Sequence, residues 1–399
     1  EIKIFSAARR VQNISDSPSA ITVLSQKDIL NVGSVSLPEI LRQVPGMDVM
    51  FITRSDANLS IRGFNREGAN KLLALVDGRS AYVDLFGITF WESLPLSILE
   101  IDRIEVIRGP GSALYGANAF TGVVNIYTIK PWKMKGMRYW VQAGPGSTYA
   151  TFVGGGRSGL GSFRMSATYN RQSSFEDIDK EAFESIKGHG TFAYRWSKLR
   201  YVQVTGGFSR DRSERLQSLI GDFKIKATQG FAKVNVQLDG FRAQLWWNVL
   251  AADLSYSFPL PKKIEFPISE TTKIPINLES LGVTRLGPDL IQLQSHTVDL
   301  EVQQAFNFWK NRNRLVLGGN FRVNYASSDQ FSAKENTQLL GALFVQNELR
   351  PVKWFTLTLG GRFDFQASQM ESIPTQYRVS PHGTILLKPH PAHTFRFTG

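Results

Sequence analysis

From residue 137 onward the chain alternates. Phe163, Met165, Ala167 and Tyr169 fall on one face of an extended segment, with Arg164, Ser166, Thr168 and Asn170 on the other. Leu315, Leu317, Gly319, Phe321, Val323 and Tyr325 oppose Gly318, Asn320, Arg322 and Asn324. Phe355, Leu357, Leu359, Phe363 and Phe365 oppose Thr356, Thr358, Arg362 and Asp364. Successive strand side chains point to opposite faces, so a period of two held over about ten residues needs a different solvent on each face. Lipid outside and a polar lumen inside supply those two solvents. A soluble sandwich also alternates, but with shorter strands. About twelve such segments can be counted by this rule, near 137–145, 148–157, 161–172, 187–197, 199–210, 227–239, 240–254, 295–309, 312–327, 338–350, 353–369 and 376–388. A thirteenth begins at His393.

Composition agrees with crossing by strands. No apolar run reaches the roughly 18 residues that a membrane-spanning helix needs. The 27 Phe, 11 Tyr and 8 Trp would furnish aromatic girdles at the two membrane surfaces. The formal net charge of +12 fits an anionic ligand or an anionic membrane surface. Nucleic acid fits poorly, because Lys and Arg are scattered and no binding motif appears. Cysteine is absent, which removes disulfides, thiolate metal sites and Cys nucleophiles. The five histidines form no HExxH pattern, and His390 and His393 lie beside Pro389 and Pro391, as in a turn. We therefore expect no metal site, no cofactor and no catalysis. No signal peptide opens the chain; an exported protein would carry its leader outside this numbering.

Before the alternating region lies a stretch of different character. Residues 104–128 read IEVIRGPGSALYGANAFTGVVNIYT. Ile104, Val106 and Ile107 make one β run, and Val123, Val124, Ile126 and Tyr127 a second. Gly109, Pro110 and Gly111 force a turn between them, since glycine reaches positive φ and proline fixes φ. Two enzyme readings of this elbow fail. Ala117 and Asn118 stand where a phosphate-binding loop needs Lys and Ser or Thr. Pro110 replaces the first glycine of a Gly-x-Ser-x-Gly nucleophile elbow around Ser112. Upstream, Ile21–Leu24 reads as a strand. Ser25 caps a helix beginning near Lys27, with Asp28 in its first turn. Ser36 caps a second, with Pro38 early and Glu39 placed for a capping box.

The order Ile-Glu-Val-Ile-Arg-Gly-Pro, Ser-Ala-Leu-Tyr-Gly, Gly-Val-Val-Asn-Ile resembles the end of the plug domain of TonB-dependent outer-membrane receptors. Three upstream motifs resemble the same family in the same order: Leu41, Val44, Pro45 and Gly46; Ile61-Arg62-Gly63; and Leu75-Val76-Asp77-Gly78. The resemblance implies an α+β plug domain inside a transmembrane antiparallel β-barrel of the bacterial outer membrane. It also marks Arg62, Gly63, Asp77, Gly78, Glu105, Arg108, Gly109, Pro110, Tyr115 and Gly116 as plug-motif residues. The family's barrels have 22 strands, and the residues beyond Pro131 hold about half of that number with their loops. An open half-barrel leaves unpaired backbone in lipid. We therefore expect a piece of a longer barrel, or one half of a split barrel completed by a second chain. The expected domains are a coupling segment over 1–11, the plug over 12–131 and a partial barrel over 132–399.

Function follows from the same resemblance. Ile2, Lys3, Ile4, Phe5, Ser6 and Ala7 resemble the TonB box, which the periplasmic energy-coupling protein TonB captures by β-addition. The expected function is active uptake of a scarce chelate such as a ferric siderophore. The alternative is a receptor or scaffold without transport, serving an envelope complex or a phage. In the family, plug loops at the outward apex touch substrate. That implies a site at Arg54, Asp56, Tyr82, Asp84, Phe86 and Trp91, where Arg54 would meet an anionic group and the aromatics an apolar body. Alternation puts Glu301 and Glu348 in the lumen, where they could pair with Arg62 and Arg108 of the plug. The Pro-rich insertion Ser255–Asp289 reads as an extracellular loop.

Overall fold

The computed structural model describes residues 3–398 apart from 7–11, 18, 64–71, 110–114, 117–118, 174–180, 219–220, 260–262, 268–272, 278–284, 287–290, 329–334, 370–373 and 391–392. Ile2, Ala7 and Pro110 of the candidate residues, and most of Ser255–Asp289, lie outside the described residues.

The first third builds a compact α+β unit. Its strands are β1 (Lys3–Ile4), β2 (Gln12–Asn13), β3 (Ala20–Ser25), β4 (Met47–Phe51), β5 (Ala57–Ile61), β6 (Leu72–Val76), β7 (Arg79–Ser80), β8 (Ile101–Arg108) and β9 (Gly122–Thr128). Five of them form a mixed sheet in the order β3-β8-β9-β6-β7, in which β6 and β9 run parallel and the other pairs antiparallel. Helices α1 (Gln26–Asn31) and α2 (Leu37–Leu41) pack on one face of this sheet. Ile29, Ile40, Leu41, Leu59, Ile61, Ile101, Ile104, Val106 and Ile126 close the core there. β6 and β9 read as nearly continuous apolar runs because both faces of the sheet are covered.

Ser25 caps α1 in a full capping box with Asp28. The cap expected at Ser36 is not made. Its hydroxyl instead donates to the Glu92 carboxylate at 2.5 Å. Glu92 is buried, and a buried carboxylate outbids a helix terminus for a nearby hydroxyl.

The remainder is a sheet of 14 strands. Its path runs β10 (Gly136–Gly144), β11 (Ser147–Ser158), β12 (Gly161–Ser173), β13 (Glu181–Arg195), β14 (Arg200–Ser218), β15 (Gly221–Leu238) and β16 (Phe241–Pro259). It continues through β20 (Ile291–Phe308), β21 (Asn313–Ser328), β22 (Glu335–Val352), β23 (Phe355–Ser368), β24 (Gln376–His390) and β25 (His393–Thr398). Every neighbouring pair on this path is antiparallel and sequential. Within the proline-rich insertion, β17 (Lys263–Pro267) and β18 (Lys273–Asn277) pair as a hairpin, and β19 (Arg285–Leu286) attaches to the end of β16. The thirteen alternating segments of the sequence are the thirteen strands of the path. At one end of the sheet each connection spans at most four residues, as at 239–240 and 309–312; the long connections, 174–180 and 260–290 among them, lie at the other end. That asymmetry marks the short end as periplasmic and the long end as extracellular.

The sheet curves around the α+β unit. Its inward face is polar, with Arg164, Thr168, Lys187, Asn235, Gln244 and Gln346 buried. Its outward face exposes Phe163, Met165, Phe192, Phe208, Leu245, Leu300, Phe321 and Leu343. That is the inverse of a soluble protein and the pattern of a wall in lipid.

Candidate functional site

The coupling segment is seated on the inner unit. Ile4 is buried against Ile21, Leu73, Leu75 and Ile107. The next two backbone N–H groups converge on one carboxylate: Phe5 N and Ser6 N donate to Glu105 Oε2 at 2.9 and 2.7 Å. Glu105 is wholly buried and also accepts from Arg103 Nε at 2.8 Å. Tyr115 Oη donates to the Ser6 carbonyl at 2.7 Å, and the Ser6 and Tyr127 hydroxyls lie 2.9 Å apart. The Phe5 ring meets Tyr127 edge-on and lies under the Arg242 guanidinium. A central β8 position thus carries a charge because an extended segment must be held there by its own backbone.

Polar bonds tie the inner unit to the wall. Glu100, with no exposed surface, accepts from Ser97 N at 2.7 Å and Ser166 Oγ at 3.3 Å. Its Oε2 lies 2.7 Å from His189 Nδ1 and 3.2 Å from Arg164 Nε, both on the wall. Arg164 further donates to the Ile129 carbonyl. Burial pushes the Glu100 carboxyl up, but His189 and Arg164 outweigh it and hold its pKa below the ordinary glutamate value. A second ring lies at the Asp77-Gly78 turn between β6 and β7, where both residues have positive φ, 50° and 85°. Gln244 donates to the Gly78 carbonyl at 3.0 Å, and Lys233 to that of Asp77. The Asp77 carboxylate accepts from Thr128 Oγ1 at 2.5 Å and faces Lys130 at 3.8 Å. Burial raises its pKa, but Lys130, Lys233 and Thr128 overcome that and bring it down to about 2.

A cavity of about 510 Å³ lies between this unit and the wall. Phe5, Tyr115 and Tyr127 line it from the inner side with Tyr82 and Asp84; Arg242, Trp246, Asp299, Glu301, Arg322, Arg362 and Asp364 line it from the wall. Arg322 bridges Asp299 at 3.0 Å and Asp84 at 3.7 Å. An added Cβ at Gly116, where φ is 88°, would meet the Arg362 guanidinium at 3.4 Å.

The six loop residues expected to form one outward site are spread over separate places. Tyr82 and Asp84 face the large cavity. Arg54 lines a different recess with Glu39, Phe51 and Tyr149. Phe86 packs with Phe90 against Ile225 and Leu250 of the wall. Asp56, Tyr82 and Trp91 share a small recess, and Trp91 is only 5% exposed within the core of the inner unit. The two loops lie near each other, but their aromatics are spent on packing. Glu301 lines the cavity beside Arg322. Glu348 meets Arg350 at 2.6 Å, and Arg108 donates to the Pro45 carbonyl at 3.2 Å. Arg62 is exposed in a left-handed turn with Gly63, φ 63° and 74°. The bridges expected from Arg62 and Arg108 are replaced by Glu100–Arg164 and Asp84–Arg322. Glu100 could have been noticed as a lone acid in the apolar run Leu94–Ile101. Nothing local singles out Arg164 or His189 among inward-facing polar residues.

A mixed-sheet domain filling a curved antiparallel wall, apolar outside and polar inside, defines a plugged outer-membrane receptor. The family description "TonB-dependent Receptor Plug Domain" matches residues 13–123. Residues 13–123 are thus a plug domain of the TonB-dependent receptor family, and the remainder has the fold of part of such a receptor's barrel. This is a family of receptors and transporters, not of enzymes. The vitamin B12 transporter BtuB of Vibrio vulnificus (strain CMCP6) is 38% identical over 127 residues, 31% of this chain and 20% of that protein. The iron-regulated outer membrane virulence protein of Vibrio cholerae is 36% identical over 135 residues, 33% of this chain and 20% of that protein. Among solved structures, the ferripyoverdine receptor of Pseudomonas aeruginosa superposes with a TM-score of 0.72 at 16% identity, over 99% of this chain and 58% of that one. The alcaligin receptor FauA of Bordetella pertussis gives 0.68 at 12%, over 99% and 64%. The chain thus spans about a fifth of the sequence relatives and about 60% of these structures.

Proposed function

We propose that this protein takes up a scarce ferric chelate, such as a siderophore, with energy delivered from the periplasm by TonB acting on residues 2–7. One observation carries the reading: Phe5 and Ser6 hang by their backbone donors on Glu105, at the edge of the cavity between plug and wall. β-Addition recruits backbone N–H groups. TonB and Glu105 would therefore compete for the same two donors, and capture of the segment by TonB would withdraw Phe5 from the cavity lining. No bond of the substrate is made or broken.

The substrate class is supported by the cavity's alternation of Arg242, Arg322, Arg362 and Arg378 with Asp84, Asp299, Glu301 and Asp364 around Trp246 and Tyr82, which suits a large polar chelate with an apolar body. Structural neighbours named for ferripyoverdine and alcaligin point the same way, while a relative named for vitamin B12 keeps cobalamin as the competing substrate. Of the six loop residues, Tyr82 and Asp84 are the ones we place in contact with it. The test is a Phe5→Pro variant assayed with radiolabelled ferric siderophores and cobalamin. Proline removes the donor at residue 5. Surface binding should persist while uptake stops. Uptake at the wild-type rate would remove residues 2–7 from coupling, and binding without uptake in the wild type would favour the receptor or scaffold without transport.

A further inference from the structure

Outside the lumen, one side of the wall carries a charge pattern that transport does not use. On the outward face, Arg171, Glu184, Arg212, Lys226 and Asp253 stand opposite one another across β12 to β16. Arg210 lies one row nearer the short-turn end, between Ile186 and Thr228. Arg171, Arg210, Arg212 and Lys226 are all exposed. Glu184 faces Arg212 at 3.7 Å and accepts from Tyr169 Oη at 3.2 Å. Two carboxylates among four cations leave a net positive row. The outward faces of β20 to β24 carry no Lys or Arg among the described residues, so the charge is confined to one flank.

Position along the strand identifies what that row meets. From Gly161 to Tyr169 the outward residues of β12 and of the facing stretch of β13 are apolar, aromatic or glycine, as are those of β14 up to Phe208, with Phe163, Met165, Phe192, Val204 and Phe208 exposed. Eight strand residues at about 3.3 Å each, tilted by about 40°, rise roughly 20 Å, most of the hydrocarbon band of an outer-membrane wall. Arg210 stands at the upper edge of that band, and Arg171, Arg212 and Lys226 follow immediately above it, toward the long extracellular connections. They stand at headgroup height, on the outer leaflet. Below them the wall is smooth: Gly190 and Gly206 face outward in one row, and an added Cβ at Gly190 would meet nothing within 4 Å. An amphipathic ligand would lay an acyl chain on this surface and place its phosphates against guanidinium forks, which match phosphate geometry.

We propose that this flank is a binding site for the phosphorylated headgroup of an outer-leaflet lipid, with Arg171, Arg210, Arg212 and Lys226 as the phosphate-binding side chains. A soluble anion has no use for the apolar surface beneath, and a neutral lipid none for the cations.

The test uses the full chain in phosphatidylcholine nanodiscs, titrated with diphosphoryl lipid A, with its dephosphorylated counterpart and with inorganic phosphate, and read by native mass spectrometry. Diphosphoryl lipid A should bind at least tenfold tighter than the dephosphorylated form. The triple variant Arg171→Gln, Arg210→Gln, Arg212→Gln should erase that difference, and the matching triple Lys variant should keep most of it. The single Arg210→Gln variant, altered at one exposed side chain, gives the same test at about threefold should the triple variant not fold. Equal binding of both lipids by the wild type, wild-type preference in the Gln variants, or full displacement of lipid by inorganic phosphate would each overturn the proposal.

Discussion

Replacing Glu100 by glutamine isolates the charge that fastens plug to wall. The two side chains have nearly the same shape, so no cavity is opened. Glutamine keeps the acceptor for Ser97 N, now 2.7 Å from Glu100 Oε1. It loses the negative charge that faces Arg164 Nε at 3.2 Å and His189 Nδ1 at 2.7 Å. The Arg164 side chain has no exposure to water and cannot be deprotonated, so its charge is stranded in the interface. Stranding one partner of a buried pair costs about 3–5 kcal/mol. At about 1.4 kcal/mol per tenfold, plug opening should rise by roughly 10²-fold to several thousandfold. Hydrogen exchange of the peptide covering Ser97–Arg108 reads that opening directly, because those amides exchange only when the plug loosens. Adding Arg164→Met should recover part of the loss, a coupling of about 1–3 kcal/mol. The pH dependence has a fixed sign. The Glu100 pKa is lowered on folding, so its contribution is complete above the unfolded value of about 4.5 and disappears as pH falls through the folded one. Wild-type exchange should accelerate below that pH, and the Glu100→Gln variant should show less of this acid step. Exchange within threefold of wild type in the Gln variant at neutral pH would refute the view that this pair holds the plug.

Three further outcomes follow from named contacts. Glu105→Ala removes the acceptor of Phe5 N and Ser6 N; limited proteolysis within residues 1–11 should become at least tenfold faster at unchanged plug melting, and unchanged cleavage would show that the segment is held by other contacts. Gly78→Ala puts a side chain at φ 85° with its Cβ 3.1 Å from Gln244 Oε1, a loss of about 1–3 kcal/mol measurable as a lower temperature of gel-mobility change. Trp91→Ala should destabilise the plug by about 3–5 kcal/mol, since a 5%-exposed aromatic is removed from the core; a weaker ligand affinity at full plug stability would instead return Trp91 to the binding site.

The sequence by itself determined the wall. A period of two is a property of each strand, and neighbours joined by short turns pair in order, so thirteen alternating segments become thirteen sequential antiparallel strands with the expected face inward. The plug's turns were equally local. Asp77-Gly78 and Arg62-Gly63 sit where the backbone needs positive φ, and Ser25 with Asp28 caps its own helix. What only the tertiary structure decided is where side chains from distant segments meet. Glu100 finds Arg164 and His189 across 64 and 89 positions because the plug is inserted at one depth and rotation inside the wall. Ser36, a cap by local rule, was taken by Glu92 from 56 residues away. Glu105 is a motif letter in the sequence, and only folding turns it into the anchor of Phe5 and Ser6. Such pairs depend on register between two separately built bodies, and no periodicity within either body encodes that register.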